Sequence, residues 1–179
     1  MSFVGRATVG VMGSSREGHD QLAVPLGGLL ARLELNLLTG GGEGVMTSVS
    51  RAYVESRRDR GVCLGIVPCR SVDVRTEPRT GYPNPYVELA IYTHLPLSGV
   101  EGQHDLSRNH INVLSSDVVI ALPGGDGTAS EVELAVRYAR PVVAFASTAA
   151  QVERFDASLT RFFDIADVEA FLVHHLAAT

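Results

Sequence analysis

Three apolar runs in this chain each end in a glycine-rich turn that leads into a helix-like stretch. Short, almost continuously apolar strands that alternate with helices are typical of a parallel sheet with helices on both of its faces. Crossovers between such strands are right-handed. The repeat therefore predicts an α/β fold, a Rossmann-like, doubly wound and mainly parallel sheet with helices packed on both faces. The runs cover residues 7–12, 34–38 and 117–122, and the turns that follow cover residues 13–15, 39–44 and 123–128.

The rest of the chain continues the same pattern and indicates one domain over residues 1–179. A length of 179 residues fits a single domain of ordinary size. Residues 71–84 have no clear period and are predicted to form a long surface loop, of the kind that is often functional. Further strands are predicted over residues 62–67, 87–93 and 141–145, and helices over about 21–35, 45–57, 105–114, 128–139 and 167–176.

Composition and charge exclude several classes of protein. With a formal net charge of −5 and 45% hydrophobic residues, the chain is expected to fold and to lack a broad nucleic-acid surface, which needs clustered positive charge. No apolar stretch reaches ~18 residues, and the first residues show no secretory signal, so we expect a cytoplasmic protein without a membrane partner. The two cysteines predict reduced thiols, and the six histidines show no metalloprotease spacing, so no protein metal site is predicted.

The glycine-rich turns are predicted to meet at one edge of the sheet, because open α/β sheets bind ligands outside the carboxyl ends of their strands. Glycine lets the backbone approach an anion closely, and the following helix offers free N–H groups with a partial positive charge. Neither the turn at 39–44 nor that at 123–128 has the Walker or the dinucleotide glycine spacing. One such turn alone favours a tight turn that needs positive φ, but two of them after buried strands favour an anion or nucleotide site.

Two charged residues near these turns have roles that the residue pattern leaves open. Glu131 lies near the first turn of the helix after residues 123–128, where it either stabilises the positive helix end or acts on a ligand. Arg108 opens the helix before the third apolar run, and it is either a solvated surface cation or a ligand contact. Asp126 and Glu43 lie within the two turns and are expected to point away from a bound phosphate, which they would repel.

The two turns read Thr-Gly-Gly-Gly-Glu-Gly-Val-Met at 39–46 and Pro-Gly-Gly-Asp-Gly-Thr-Ala-Ser-Glu at 123–131. Together they resemble the superfamily once labelled "lysine decarboxylase". That superfamily includes the LONELY GUY phosphoribohydrolases and the molybdenum cofactor carrier proteins. The resemblance extends over nearly the whole chain, from the first predicted strand to the last predicted helix.

Within this superfamily the chain is more similar to the molybdenum cofactor carriers. Arg108 matches an arginine of the phosphoribohydrolases, but Asn109 replaces the lysine that follows it there, and Glu131 matches their catalytic glutamate. The segments at 112–116 and 128–135 look closer to the carriers. The resemblance therefore implies a protein that binds and protects an anionic, phosphate-bearing small molecule, with molybdenum cofactor as the expected ligand of a carrier or store.

The resemblance also implies which residues contact the ligand and how the protein assembles. Arg108 is expected to be a charge-assisted donor, and the metal arrives already bound to the pterin, so the protein supplies no metal ligand. A homodimer or homotetramer is expected from the same relatives. The ligand edge is expected to be formed by Gly13, Ser14, Ser15, Gly41, Gly42, Gly44, Gly124, Gly125, Gly127 and Thr128.

The alternative function is that of a LONELY GUY-type phosphoribohydrolase, an enzyme that splits the N-glycosidic bond of a nucleoside 5′-monophosphate. Arg108 would then position the substrate, and Glu131 would stabilise the ribose cation or activate water. A third class is a non-catalytic nucleotide sensor or a DNA-processing partner, and the acidic charge argues against direct DNA contact. Pyridoxal phosphate is excluded as a cofactor, because its chemistry needs a lysine and all 15 basic residues are arginine.

Overall fold

The computed structural model describes residues 6–57 and 61–176, which form one sheet of seven strands with helices on both faces. The strands are β1 (Thr8–Met12), β2 (Asn36–Thr39), β3 (Cys63–Val67), β4 (Leu89–Tyr92), β5 (Val118–Ala121), β6 (Val142–Phe145) and β7 (Arg161–Phe162). The helices are α1 (Asp20–Arg32), α2 (Val45–Ser56), α3 (Asn109–Leu114), α4 (Asp126–Arg137) and α5 (Ile165–Leu176), with short 3₁₀ helices over Gly99–Glu101 and Ala149–Val152.

All neighbouring strands are parallel, in the order β4-β3-β2-β1-β5-β6-β7. The chain builds β1 to β4 outward in one direction and then returns to place β5 on the other side of β1. This reversal is the topological switch point, where doubly wound sheets bind their ligands. Met12 of β1 pairs with Ala121 of β5, so the turns that follow these two strands begin at the same level. The predicted fold class is confirmed.

Side chains of the central strands alternate between the two faces of the sheet, which is why both faces need helices. Val9 and Val11 of β1 belong to a buried cluster with residues of α1, α2 and α5. Met12 belongs to a second cluster, on the opposite face, with residues of α3 and α4. All three side chains are buried. The central strands are apolar on both faces because helices cover both faces of the sheet.

Two elements differ from their prediction. The helix predicted over residues 105–114 begins only at Asn109, because the buried Ser107 accepts a hydrogen bond from the Asn109 N–H with its Oγ (3.2 Å) and so replaces a helical turn. Arg108 consequently occupies the N-cap of α3. The strand β7 was not predicted, because two residues are too few to show an alternating pattern.

The predicted loop over residues 71–84 has no helix, and its backbone makes one isolated bridge, between Cys69 and Pro78. The two cysteines are free and buried. Within the ranges given above, no helix is both long and apolar enough to cross a bilayer.

Candidate functional site

A cavity of about 450 Å³ lies at the carboxyl ends of β1 and β5, at the switch point of the sheet. Most of its lining comes from four segments, which are the end of β1 with the turn after it, the start of α4, the start of α3 and the 3₁₀ turn over Gly99–Glu101, and Gly40, Met46 and Arg154 complete it. The predicted site residues that line it are Gly13, Ser14, Ser15, Arg108, Gly125, Gly127, Thr128 and Glu131. Its lining also includes residues that the sequence did not single out, among them Val11, Met12, Arg16, Met46, Val100 and Arg154.

Arg108 is buried in the wall of this cavity, with only 5% of its surface exposed. Its Nη1 donates hydrogen bonds to the Ile66 carbonyl oxygen (2.9 Å) and to Asn112 Oδ1 (3.4 Å). Its Nε, by contrast, has no hydrogen-bond partner among the residues that the structure describes. Burial holds the pKa of Arg108 below its usual range, and the nearby charge of Glu131 opposes that effect. Arg108 is thus a buried cation in the wall of the cavity, and the surface-cation interpretation is wrong.

Glu131 is the second buried charge of the wall, with 8% of its surface exposed. Burial raises the pKa of its carboxyl group, while Arg108 and a hydrogen bond from Asn112 act in the opposite direction. Glu131 projects from α4, and Arg108 is the N-cap residue of α3. The cavity therefore has an acidic group and a basic group on two different helices.

Asn112 connects these two charges, and sequence reasoning gave it no role. Its Oδ1 accepts the hydrogen bond from Arg108, and its Nδ2 donates one to Glu131 Oε1 at 2.7 Å. The side chain is completely buried. Its position four residues after Arg108 in a predicted helix is the signal that could have identified it, since such residues share one helix face.

The start of α4 presents backbone N–H groups to the cavity. Its N-cap is Gly125, which makes no side-chain capping bond, and the first helical hydrogen bond is donated by the N–H of Ala129 to Gly125 O. The N–H groups of residues 126–128 precede that bond and carry the partial positive charge of a helix N-terminus. A Cβ added to Gly125 would meet nothing nearer than Arg154 Nη1 at 3.8 Å, so this turn is open.

Asp126 lies in the first turn of α4 and forms an ion pair with Arg154. Both side chains are about half exposed and line the cavity. Glu43, the acidic residue of the other glycine turn, is exposed and lies outside the cavity lining.

The turn after β1 is held by its own hydrogen bonds. Ser14 Oγ accepts from the backbone N–H groups of Arg16 (3.1 Å) and Glu17 (3.0 Å). The Ser14 N–H donates to Pro123 O (3.1 Å), and Ser14 O accepts from the Val45 N–H (2.8 Å). The turn therefore joins the start of α2 to the end of β5.

The glycine turn at 39–44 is closed by other parts of the chain. Gly40 lines the cavity, but Gly41, Gly42 and Gly44 do not. The Asn84 backbone N–H donates to Gly41 O (2.7 Å), and Asn84 Nδ2 donates to Gly42 O (3.0 Å). A Cβ added to Gly42 would lie 2.6 Å from the Tyr82 ring.

Gly44 and Gly124 are the glycines that let neighbouring segments approach. Gly44 has a φ of 65°, and a Cβ there would overlap Ser14 O. A Cβ on Gly124 would overlap the Thr128 side chain and would lie 3.0 Å from the Ser14 nitrogen. Both residues fit close behind the cavity rather than in its lining.

Among the described residues, no group of three or more His, Cys, Asp and Glu side chains is arranged to hold a metal ion. Burial raises the pKa of the Cys63 thiol to about 11. The polar groups that line the cavity include the N–H groups at the start of α4, the buried Arg108 and Glu131, and the exposed Arg16 and Asp126–Arg154 ion pair.

Comparison with known proteins gives both a family and similar structures. The sequence model of the SLOG cluster4 family matches residues 6–172. The molybdenum cofactor binding protein from the phototrophic bacterium Rippkaea orientalis is 28% identical over 98% of each chain, with a TM-score of 0.71. The molybdenum cofactor carrier protein from Chlamydomonas reinhardtii is 27% identical over 97% of this chain and 99% of its own, also with a TM-score of 0.71.

DNA processing protein A from Helicobacter pylori is 18% identical over 95% of this chain and 81% of its own, with a TM-score of 0.60, and so shares the fold alone. No curated protein matches the chain.

Proposed function

The chain belongs to the SLOG cluster4 family, and we propose that it binds and protects molybdenum cofactor as the cargo of a carrier or storage protein. The proposal rests on one observation of the site, the buried cation Arg108 in the wall of the cavity. The similarity to the proteins of Rippkaea orientalis and Chlamydomonas reinhardtii, over almost the full length of each chain, supports this choice of cargo.

The chemistry of the cargo fits the groups that line the cavity. Molybdenum cofactor is a pterin that carries a dithiolene-bound oxo-metal and a terminal phosphate, so it is strongly anionic. The N–H groups at the start of α4 and the guanidinium of Arg108 are donors suited to anionic oxygens. A carrier needs donors and enclosure and no protein metal ligand, since the metal arrives on the pterin.

The contact residues are proposed to be those that line the cavity, with Arg108, Gly125, Gly127 and Thr128 nearest to the anionic groups. Gly41, Gly42, Gly44 and Gly124 are proposed to act by shaping the walls behind it. Assembly as a homodimer or homotetramer, a cytoplasmic location and the absence of nucleic-acid and membrane partners stay predictions.

The test is retention of the cofactor by protein purified without oxygen. Native mass spectrometry should show bound cofactor, and oxidation of the bound fraction should release a fluorescent pterin. Arg108→Gln removes the buried cation and should weaken retention by about thirtyfold or more, since it leaves the partners of a buried charge unsatisfied. Arg32→Gln changes an arginine that is 61% exposed on α1 and should retain the cofactor as wild type does.

Thermal unfolding of Arg108→Gln must show a folded protein for its loss of binding to count. Wild-type protein that never carries a pterin, even when it is produced in cells that make the cofactor, contradicts the proposal. Equal retention by the Arg108→Gln and wild-type proteins contradicts the proposed role of Arg108.

The second candidate function, a nucleoside 5′-monophosphate phosphoribohydrolase, is favoured by Glu131. This carboxyl group is buried on the cavity wall and its pKa is raised by burial, as is usual for groups that exchange protons. Release of free base from adenosine 5′-monophosphate by the wild type, abolished in Glu131→Gln, would identify an enzyme. Glutamine keeps an oxygen that can accept from Asn112 Nδ2, so this variant removes the acid with little change of shape.

A further inference from the structure

Val100 is an apolar side chain at the mouth of the cavity, and it is 81% exposed. The neighbouring parts of the mouth are polar, with Ser15, Arg16 and the Asp126–Arg154 ion pair. Leaving a valine in water has no benefit for folding, because it forgoes the free energy that burial of its apolar surface would give.

The position of Val100 is fixed by contacts before its 3₁₀ turn and within it. Before it, Arg79 Nη1 donates to Ser98 Oγ (3.0 Å) and Arg79 Nη2 donates to Pro96 O (2.5 Å). Within the turn, Gly99 lies so close to α4 that its Cα is 3.3 Å from where a Cβ on Gly127 would be. The turn that carries Val100 therefore lies beside the first turn of α4, where the helix offers its N–H groups.

The cavity thus has two kinds of surface. Donors lie at the start of α4 and at Arg108, whereas Val100 adds an exposed apolar side chain; the other apolar lining residues Val11, Met12 and Met46 are already buried. A bare oxyanion such as molybdate or phosphate has no apolar part that could cover Val100. A planar heteroaromatic ring has two faces that can, and it would bury Val100 when bound.

We propose that Val100 is a specificity-determining residue that covers one face of a planar heteroaromatic ring, so that the cavity selects phosphate-bearing pterins or purines over inorganic oxyanions. This inference rests on the proposed function, because it assumes that the same cavity holds the anionic group of the cargo. It adds the residue that distinguishes a ring-bearing phosphate from an inorganic oxyanion.

The test is a titration of wild-type and Val100→Thr proteins with guanosine 5′-monophosphate, ribose 5-phosphate and inorganic phosphate. Guanosine 5′-monophosphate carries a ring with the amino-oxo-pyrimidine edge of a pterin, and ribose 5-phosphate carries the same sugar phosphate without a ring. Threonine keeps the branched shape of valine and replaces a methyl with a hydroxyl. Val173→Thr is the matched control, since Val173 is a 52% exposed valine on α5 outside the cavity.

Wild type should bind guanosine 5′-monophosphate more tightly than ribose 5-phosphate. Val100→Thr should weaken the nucleotide by about fivefold and leave ribose 5-phosphate within about twofold, because only the ring contacts the apolar surface. Val173→Thr should change neither affinity. Chromatography of the mixtures checks that guanine is not released during the titration.

The inference is overturned if wild type binds the two phosphates equally or binds neither, or if Val100→Thr weakens both to the same extent. It is also overturned if Val100→Thr leaves nucleotide affinity unchanged and alters the sedimentation coefficient, which would show that Val100 packs against a second subunit. Anaerobic loading with molybdenum cofactor separates the two proposals. If the protein binds the nucleotide in a way that depends on Val100 but takes up no cofactor, only the proposed function is wrong. If it takes up the cofactor but Val100→Thr has no effect on nucleotide binding, only this inference is wrong.

Discussion

The two glycine turns that look alike in the sequence have different surroundings in the structure. The turn at 39–44 is filled by residues of the loop at 71–84, which hydrogen bond to Gly41 and Gly42. In the turn at 123–128, Gly124 fits against Thr128 and Ser14 and Gly127 fits against Gly99, but Gly125 is open and lines the cavity. Glycine permits close approach by other parts of the chain in both turns, and the second turn differs in leaving Gly125 uncovered.

This difference separates two uses of glycine after a parallel strand. In the closed turn, glycine stabilises the fold by letting Tyr82, Asn84 and Ser14 pack against the backbone. In the open turn, Gly125 leaves room for something that is not part of the chain. Substitutions in the first turn should therefore affect stability, and substitution of Gly125 in the second turn should affect binding.

The largest effect is expected for Gly44→Ala in the closed turn. Alanine would have to adopt a φ of 65° and its Cβ would overlap Ser14 O, a backbone atom. We expect the free energy of unfolding to fall by about 3 kcal/mol, measured by denaturant titration. Gly81→Ala is the control for φ alone, because Gly81 has a φ of 84° and a Cβ there would meet only Glu43 Oε1 at 3.9 Å.

Gly81→Ala should destabilise the protein by roughly 1–2 kcal/mol, the usual effect of a left-handed alanine. Equal losses for the two variants would show that Ser14 gives way easily and that the turn at 39–44 is not tightly closed.

The next largest effect is expected for Asn84→Ala, which removes the amide that covers Gly42 O. The side chain is buried, so its loss should reduce the free energy of unfolding by about 2 kcal/mol. Asn84→Asp separates its two bonds, because a carboxylate can still accept from the Tyr86 N–H, as Oδ1 does at 3.1 Å, but cannot donate to Gly42 O. If Asn84→Asp is as stable as wild type, the donation to Gly42 does not hold the turn closed.

Gly125→Ala in the open turn should have a smaller effect on stability and a larger one on binding. The added methyl meets only the end of the flexible Arg154 side chain at 3.8 Å, so we expect a loss of about 0.5–1 kcal/mol, typical of alanine at an N-cap. The methyl enters the cavity and should weaken binding of guanosine 5′-monophosphate in a calorimetric titration. A destabilisation as large as that of Gly44→Ala would remove the distinction between the turns.

The smallest effect on stability is expected for Arg154→Ala, which breaks an exposed ion pair with Asp126. Such pairs contribute about 0–1 kcal/mol. Binding of an anionic ligand should weaken, because the unpaired Asp126 carboxylate then lies at the start of α4. The double variant Arg154→Ala with Asp126→Asn should recover part of that affinity, and failure to recover any would show that Asp126 does not influence the open turn.

The fold could be predicted from the sequence because its signals are local. Apolar runs, glycine turns and helical periods each occupy fewer than about twenty residues. The strands next to the switch point are apolar runs, and the segments that follow them contain the glycine turns and the helical periods. The two residues of β7 are too few to give such a pattern. The start of α3 depends on the hydrogen bond that the Asn109 N–H donates to Ser107 Oγ, which a helical period does not reveal.

The candidate site could be predicted only in part, because the difference between its turns depends on distant residues. Nothing near Gly42 in the sequence indicates that Asn84 will cover it. The burial of Arg108 depends on Ile66 and Tyr82, which belong to other elements. The resemblance to a known superfamily identified Arg108 and Glu131, whereas Val100 shows no periodic or motif signal at all.

The cavity draws its walls from widely separated parts of the chain, namely residues near 11–16, 40–46, 98–109, 125–131 and 154. No amino-terminal fragment that ends before Arg154 contains all of them. A polypeptide still being synthesised on the ribosome cannot complete this cavity until the segment that carries Arg154 has folded into place. A single proteolytic cut between α3 and α4 would divide the walls of the cavity between two pieces.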